Sequence, residues 1–413
     1  MPPVALFQTS KEWICALGLL LGLFAFSLSL KYQQYNRFLD KKPLSLHARV
    51  LLQYSKGATQ VLKLQDSHYN VFYTTSKEDI KDLSLKFVRA FGKMAPCSFW
   101  QFLKSCYFYT FSLSLEQGSD PKNPLRKVID TQHTNPLMGN FYRTLFLADS
   151  LNQSLRQVVV GLGVSHLIAI SGFHLGILSA FFFLILKYPY TFLQQRYFPY
   201  RNRTYDLMGM VLCLLLGYLF LLHFQPSFLR AFVMALLGFF LLYNGLELLS
   251  FSLLALVVLL SLILFPSLVR NIGFILSVGG VFYIFLFIKH MPKLHPLIYA
   301  FLLNTTLFLH MLPLVHAFFT PFNPYQLSGI LLSFVFVLFF PLSLILHLFN
   351  SGNLFDSYLL QTLKWHIPTI NYHTPIWLLS LYGLLSLLAI RFVHAYYALY
   401  TISLALFLYL LIS

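Results

Sequence analysis

The stretch Ser165–Ile177, with the sequence SHLIAISGFHLGI, decides how the rest of the chain is interpreted. It lies in an apolar run long enough to cross a bilayer, yet it contains two serines, two histidines and two glycines. Polar groups at the centre of a bilayer are costly unless they face the interior of a helix bundle or a water-filled path. The stretch is therefore predicted to line or support a polar feature inside the membrane.

The composition of the whole chain is that of a membrane protein. Of its 413 residues, 58% are hydrophobic and only 10% are charged, whereas about 25% of the residues of a soluble domain are charged. Long runs rich in Leu and Phe favour helices over the short alternating segments of a transmembrane β-barrel. The predicted fold class is a polytopic α-helical bundle.

About ten apolar runs approach the roughly 20 residues that a helix needs to span a bilayer. The first, Trp13–Leu30, predicts an uncleaved N-terminal membrane anchor within residues 1–30. The other nine lie in a transmembrane domain, residues 134–413, at about 163–186, 205–223, 228–246, 248–268, 271–288, 296–319, 325–349, 375–390 and 392–412.

Residues 31–133 are polar and contain five short segments with alternating or β-branched and aromatic residues. Such segments predict strands, and five of them suggest a small β-barrel of the OB type. OB barrels often bind single strands through aromatic and basic side chains. The candidate contacts are Tyr69, Phe72, Tyr73, Lys86 and Arg89, although aromatic residues in strands also commonly form the core.

The same polar region contains Cys97 and Cys106, which would form a disulfide if it faces an oxidising compartment. The side of the membrane on which this region lies is predicted from the basic loops 187–204 and 289–295, because cytoplasmic loops carry an excess of Lys and Arg. The N-terminus is then cytoplasmic, and residues 31–133 are extracytoplasmic. Two segments are predicted to lie at membrane surfaces as amphipathic elements, residues 139–161 and the cytoplasmic loop 350–374 with Trp365.

The formal net charge is +16, and residues 134–413 contain only four carboxylates, Asp149, Asp206, Glu247 and Asp356. Proton and sodium pathways usually need buried acids, so this scarcity argues against them. A basic surplus favours an anionic partner, either phospholipid or nucleic acid.

Further polar residues occur inside the apolar runs. Arg230 follows Pro226, so it either snorkels to the interface or lies on a half-helix whose N-terminus faces an anion. Asn304 and His310 lie together in a later run. With Ser165, His166, Ser171, Gly172 and His174, these three residues are the candidate lining of a path.

Two other functions remain open at this point. Ser171 with His166, His174 or His310 as base would form an intramembrane hydrolase, although two residue types are a weak signal. A small-anion permease is the other alternative, but no internal repeat supports it. No metal site, cofactor site or catalytic motif is predicted, and the chain is predicted not to be an enzyme.

The block Ser165–His174 resembles the signature of the ComEC family of competence DNA-uptake channels. Pro226–Ala231 with Met234, and Gly273–Ser277, are similar to two further blocks of that family, in the same order. The family usually shows Leu-Gly-Asp before the first block, whereas this chain has Leu147-Ala148-Asp149. Longer relatives carry a C-terminal metallo-β-lactamase-like domain. No HxHxDH-type cluster of that domain occurs before Ser413, so the chain resembles the short form.

The resemblance implies a channel for single-stranded DNA in the bacterial inner membrane during natural transformation. It also implies a periplasmic DNA receptor and a cytoplasmic helicase or single-strand-binding protein as partners. Membrane lipids surround the chain, and a homo-oligomer is a further expectation. A path for a polyanion needs cations, aromatic faces and few fixed negative charges, which agrees with this composition.

Overall fold

The structure is a computed structural model that describes residues 9–39, 43–57, 59–76, 82–116, 120–244, 250–363 and 369–412. The chain divides into two compact units. One contains the first helix, a β-barrel and residues Val258–Asn271; the other contains Leu125–Val257 and Ile272–Ser413.

Five strands close into the predicted barrel. They are β1 (Leu44–Lys56), β2 (Thr59–Asp66), β3 (Val71–Ser76), β4 (Phe87–Met94) and β5 (Cys106–Leu115). The order around the barrel is β1-β2-β3-β5-β4, with β4 returning to β1 and only β3 and β5 running parallel. The closed five-stranded barrel confirms the coarse prediction, and its assignment to the OB type stays a prediction.

Alternation along the strands builds the barrel core, because successive side chains of a strand point to opposite faces. Leu46, Ala48 and Val50 of β1 point inward, as do Val88 and Ala90 of β4.

This alternation overturns one predicted DNA contact and limits two others. Phe72 is fully buried in the barrel core, so its prediction as a contact is wrong. Tyr69 packs edge-on against Phe265, with ring centroids 5.8 Å apart, and Tyr73 is half-buried. Lys86 and Arg89 are exposed, as a contact requires.

The first helix, α1 (Ser10–Leu39), continues beyond the predicted anchor. Its last turns pack against the barrel core through Tyr35 and Phe38. The Tyr35 hydroxyl donates a hydrogen bond to the carbonyl oxygen of Cys97 at 2.6 Å. The following short helix, α2 (Phe99–Phe102), is enclosed by a disulfide between Cys97 and Cys106, whose Cα atoms lie 6.2 Å apart.

The second unit is helical. Its helices in chain order are α3 (Asn123–Asp130, which begins at the unit boundary), α4 (Pro136–Leu147), α5 (Gln153–Gly161), α6 (Ser165–Ile168), α7 (Gly172–Tyr197), α8 (Arg203–Leu221), α9 (Pro226–Tyr243), α10 (Phe251–Leu264, whose end belongs to the barrel unit), α11 (Ile272–His290), α12 (Pro296–Val315), α13 (Ser328–Leu348), α14 (Asp356–Leu363), α15 (Ile376–Ala389) and α16 (Val393–Ile412). Two short strands, β6 (Pro321–Phe322) and β7 (Ile370–Asn371), pair with each other.

Seven of the described helices are long and apolar enough to cross a membrane, by length and composition. They are α1, α7, α8, α11, α12, α13 and α16, and three shorter apolar helices (α9, α10 and α15) accompany them. The chain is therefore a multi-pass membrane protein, and the exact count of ten spans remains a prediction.

The predicted single interfacial helix over residues 139–161 is wrong. The segment forms α4 and α5, which meet at a turn at Ala148, and most side chains of α4 are buried. Asp149, an acidic residue of this amphipathic segment, is buried in that turn.

Residues 133–163 extend beside α13 instead of lying flat at an interface. His133 contacts His347 at the C-terminal end of α13, whereas Gly163 lies against Gln326 and Gly329 at its N-terminal end. A helix of the 21 residues of α13 is about 30 Å long. The apolar face of α4 therefore packs inside the bundle, which is why its amphipathic pattern misled the prediction.

Several predicted segments, among them the anchor 1–30 and the run 248–268, fall partly outside the described residues. Trp365 and its neighbours in the predicted surface loop 350–374 lie there, as do residues 245 and 246 of the predicted run 228–246. In the described part of the loop, Asp356 is buried, which disagrees with a purely superficial amphipathic segment.

Removal of the Cys97–Cys106 disulfide is expected to destabilise the segment around α2. The closed loop spans a sequence separation of 9, for which loss of loop-closure entropy in the unfolded chain corresponds to about 2–3 kcal/mol. Hydrogen exchange of Cys97→Ser/Cys106→Ser protein should be faster over residues 95–110 than in wild type. Cys15→Ser/Cys213→Ser, which replaces the two free cysteines, is the control and should exchange as wild type does. Unchanged protection in the first variant would contradict the expectation.

Candidate channel site

The quoted polar stretch contains a break in the helix within the predicted run 163–186. The single turn of α6 ends at Ile168, and Ala169 (φ −70°, ψ 122°) and Ser171 (φ −144°, ψ −176°) are extended. The next helix, α7, begins at Gly172. The apolar run is thus two helices joined by an extended link.

Side chains at the break cap the new helix. The Ser171 hydroxyl oxygen accepts a hydrogen bond from the Phe173 N–H at 3.3 Å, and the Ser171 N–H donates to Nδ1 of His174 at 3.4 Å. Such reciprocal bonds satisfy N–H groups that a helix start leaves unpaired. Because Nδ1 accepts from the backbone and not from the serine hydroxyl, the two side chains do not form the hydrogen-bonded dyad of the hydrolase hypothesis.

His174 is completely buried, edge-on to Phe336 and Phe340 of α13, with ring centroids 5.2 and 4.8 Å away. Since Nδ1 is an acceptor, the proton of a neutral imidazole belongs on Nε2. Within the described part of the chain, this Nε2 has no hydrogen-bond partner. A buried donor without a partner is unfavourable.

Arg230 lies in the second turn of α9 and is only 2% exposed. The snorkelling alternative is therefore wrong: the side chain points into the bundle. Its guanidinium donates to the Ser277 hydroxyl of α11, and its Nε has no partner among the described residues.

No described carboxylate balances the charge of Arg230. In the helical unit, Asp130 pairs with Arg143. Of the four acids in residues 134–413, three are described and also have basic partners: Asp149 pairs with Arg126, Asp206 with Arg201, and Asp356 with His133. The fourth, Glu247, lies outside the described ranges. A buried charge without a partner is expensive, which makes Arg230 the most conspicuous electrostatic feature of the bundle.

Small residues let the start of α7 reach Arg230. A Cβ atom placed on Gly172 would lie 3.2 Å from the Cβ of Ala231 and 3.8 Å from a terminal guanidinium nitrogen of Arg230. The N-terminus of α7 has a partial positive charge from its aligned peptide dipoles. A guanidinium beside a helix N-terminus is an arrangement suited to an anion.

The predicted lining residues do not all come together. Ser171, Gly172 and His174 gather with Arg230, and they are joined by Ser277, the last residue of the block Gly273–Ser277, which was not among the predicted lining residues. Ser165 and His166 are exposed, and His166 contacts the Gly163 carbonyl oxygen at 3.0 Å and the Ser333 hydroxyl at 3.4 Å.

The other two predicted lining residues have different partners. Asn304 bonds to Ala300 in its own helix at 3.0 Å. His310 is fully buried with its Nδ1 3.1 Å from the Tyr382 hydroxyl and 3.4 Å from that of Ser403. These contacts belong to a polar network between α12, α15 and α16.

Two buried ionic contacts could not be predicted from the sequence because the residues that form them are far apart in the chain. Arg126 donates to both carboxylate oxygens of Asp149, at 2.7 and 2.8 Å. His133 contacts Asp356 at 2.8 Å through Nδ1 and His347 at 3.0 Å through Nε2, and its ring stacks on Tyr142. These contacts tie α3, the end of α13 and α14 together.

Residue 148 explains the Leu-Gly-Asp pattern from which this chain departs. Ala148 ends α4 in the left-handed conformation, with φ 58° and ψ 29°. Glycine adopts that conformation without steric cost, whereas other residues do so at about 1–2 kcal/mol. The following Asp149 turns inward to Arg126, so the left-handed residue sets the direction of the buried carboxylate.

The closed five-stranded barrel and the seven described helices that are long and apolar enough to cross a membrane define the class of a multi-pass membrane protein with a small β-barrel. The family model described as Competence protein matches residues 147–413. The chain belongs to this family of competence proteins, the ComEC family, as its motifs predicted. No curated protein matches the chain significantly. Membership indicates a role in DNA uptake during competence.

Substitution of Asp149 by Ala is expected to destabilise the helical unit by about 3–5 kcal/mol, because Arg126 is left as a buried charge without its carboxylate. The free energy of unfolding in detergent is the measurement. Arg201→Ala, which breaks the more exposed Arg201–Asp206 pair, is the control and should change it little. Equal effects of the two variants would contradict the structural importance of the buried pair.

Ala148→Gly should act in the opposite direction. It relieves the left-handed strain at the end of α4, and the gain is expected to be up to about 1 kcal/mol after the greater entropy of glycine in the unfolded chain is included. A lower stability of Ala148→Gly than of wild type would show that the residue is not strained.

Proposed function

We propose that the protein is the inner-membrane channel through which single-stranded DNA reaches the cytoplasm during natural transformation. The observation that carries the proposal is the buried Arg230 without a carboxylate among the described residues, beside the N-terminus of α7. A phosphodiester that passes this point would supply the missing negative charge. The fork of an arginine matches two phosphate oxygens.

The composition of the bundle supports passage rather than tight binding of the strand. The bundle contains few fixed carboxylates, so it repels a polyanion little, and the described carboxylates of the helical unit are paired with basic side chains. Nε2 of His174, which has no hydrogen-bond partner among the described residues, is a second donor near the break. A small number of donors in a neutral, apolar wall allows each phosphate to bind briefly and move on.

The proposal places the barrel outside the cell membrane and the N-terminus in the cytoplasm, as the basic loops predict. A periplasmic receptor would deliver the strand, and a cytoplasmic helicase or single-strand-binding protein would draw it in. The channel itself carries out no bond-breaking step, and a homo-oligomer is compatible with this role.

Arg230 is tested by transformation frequency at matched protein levels. Arg230→Gln removes the charge at similar volume and is expected to lower transformation at least about tenfold, because hydrogen bonds to charged groups contribute about 1.5–3 kcal/mol. Arg230→Lys keeps the charge but loses the fork and should be intermediate. Capture of DNA at the cell surface should remain normal in both variants.

The exposed Arg196 at the end of α7 provides the matched control, and Arg196→Gln should transform as wild type does. Thermal stability separates function from folding. Loss of an unpaired buried charge should leave the melting temperature of Arg230→Gln unchanged or raised. Wild-type transformation by Arg230→Gln would refute the proposal.

A small-anion permease is the competing function that the same arginine allows. Saturable uptake of inorganic phosphate into proteoliposomes, insensitive to added single-stranded DNA, would select that function over the DNA channel.

A further inference from the structure

One outer face of the barrel exposes aromatic and basic side chains together. Arg89, Phe91 and Lys93 alternate along β4, and Tyr109 and Phe111 lie on the adjacent β5. Phe91, Tyr109 and Phe111 are 42%, 48% and 58% exposed as whole residues. We call these five residues the β4–β5 strip.

The strand register makes the strip continuous. Lys93 lies opposite Tyr109, and Phe91 lies opposite Ser112, next to Phe111. The rings of Phe91 and Phe111 meet edge to face, with centroids 6.3 Å apart. Every second residue of β4 points outward because a strand has a period of two, so the same alternation that builds the core presents this row.

Neither cation of the strip is neutralised. Arg89 donates only weak hydrogen bonds to the Ser45 hydroxyl, at 3.2 and 3.4 Å. At one edge Glu116 pairs with His47 at 3.0 Å. No carboxylate of the described chain forms an ion pair with Arg89 or Lys93.

We propose that the β4–β5 strip is a binding surface for single-stranded nucleic acid. Bases stack on Phe91, Phe111 and Tyr109, and the two cations contact phosphates. Stacking platforms of this kind combine exposed aromatic faces with positive charge. The inference rests on the proposed function, because the strip would be the place where the incoming DNA strand first contacts the protein.

The location differs from what analogy with OB barrels indicates. Ligands of that fold usually occupy the face formed by the second and third strands. Here that face offers Tyr73 and Lys63, both half-buried. The exposed rings and unpaired cations lie on β4 and β5, so charge complementarity favours this side for a polyanion.

Binding of a fluorescent oligothymidylate of about 16 nucleotides, the upper range of single-strand site sizes for such barrels, is measured with the full-length protein in detergent. Phe91→Ala/Phe111→Ala should weaken binding about tenfold or more through loss of stacking. Arg89→Gln/Lys93→Gln should also weaken it. Trp100→Ala/Lys104→Gln replaces an exposed ring and a cation on and beside α2, outside the strip, and should bind as wild type does.

Salt dependence gives a readout that a folding defect would not imitate. Each lost phosphate contact lowers the slope of log affinity against log salt by roughly 0.7 for a single strand. The Arg89/Lys93 double variant should therefore show a reduced slope, whereas the Phe91/Phe111 variant should keep the wild-type slope despite weaker binding.

The inference is overturned if both strip variants bind the oligonucleotide as the Trp100/Lys104 control does. Normal oligonucleotide binding with reduced transformation also overturns it, and indicates that the strip docks a protein. These outcomes are separate from the test of the channel. Arg230→Gln should leave oligonucleotide binding at the strip intact, so failure of either proposal is visible by itself.

Discussion

The positive charge of Arg230 has to be balanced inside a bundle that offers almost no negative charge. An arginine cannot lose its proton at neutral pH, and desolvation of an ion costs several kcal/mol. Ser277 supplies one neutral acceptor, which compensates only in part. Around the same side chain, the small residues Gly172 and Ala231 allow the start of α7 to lie close to the guanidinium.

The other buried charges of the helical unit are treated differently. Arg126 donates two hydrogen bonds to one carboxylate, and His133 lies between Asp356 and His347. Burial and the nearby Asp356 raise the pKa of the Tyr142 phenol that stacks on His133, so this phenol stays neutral. In these contacts each buried base has an acidic partner, and the contacts hold helices together. Arg230 has no acidic partner among the described residues. The contrast separates ionic contacts with a structural role from the arginine on which the proposed function rests.

The barrel unit uses alternation for two purposes. Inward residues of β4 fill a core with Phe72 and the end of α1, while outward residues form the β4–β5 strip. Since a shift of one residue in register would exchange the two sets, folding and the proposed DNA contact depend on the same pairing. The disulfide next to α2 holds one end of β5 and so also supports the strip.

The sequence by itself determined the membrane class, the closed five-stranded barrel, the family and three of the motifs that meet at the site. Those features depend on composition, local periodicity and short motifs, which are readable along the chain. Only the tertiary structure decided that Phe72 is core, that residues 133–163 run beside α13, and that Arg230 points inward toward Gly172 and Ser277. The physical reason is that amphipathic periodicity gives the apolar side of an element but not its neighbour. Contacts such as Arg126–Asp149 and His133–Asp356 join residues 23 and 223 positions apart, and no local pattern records them.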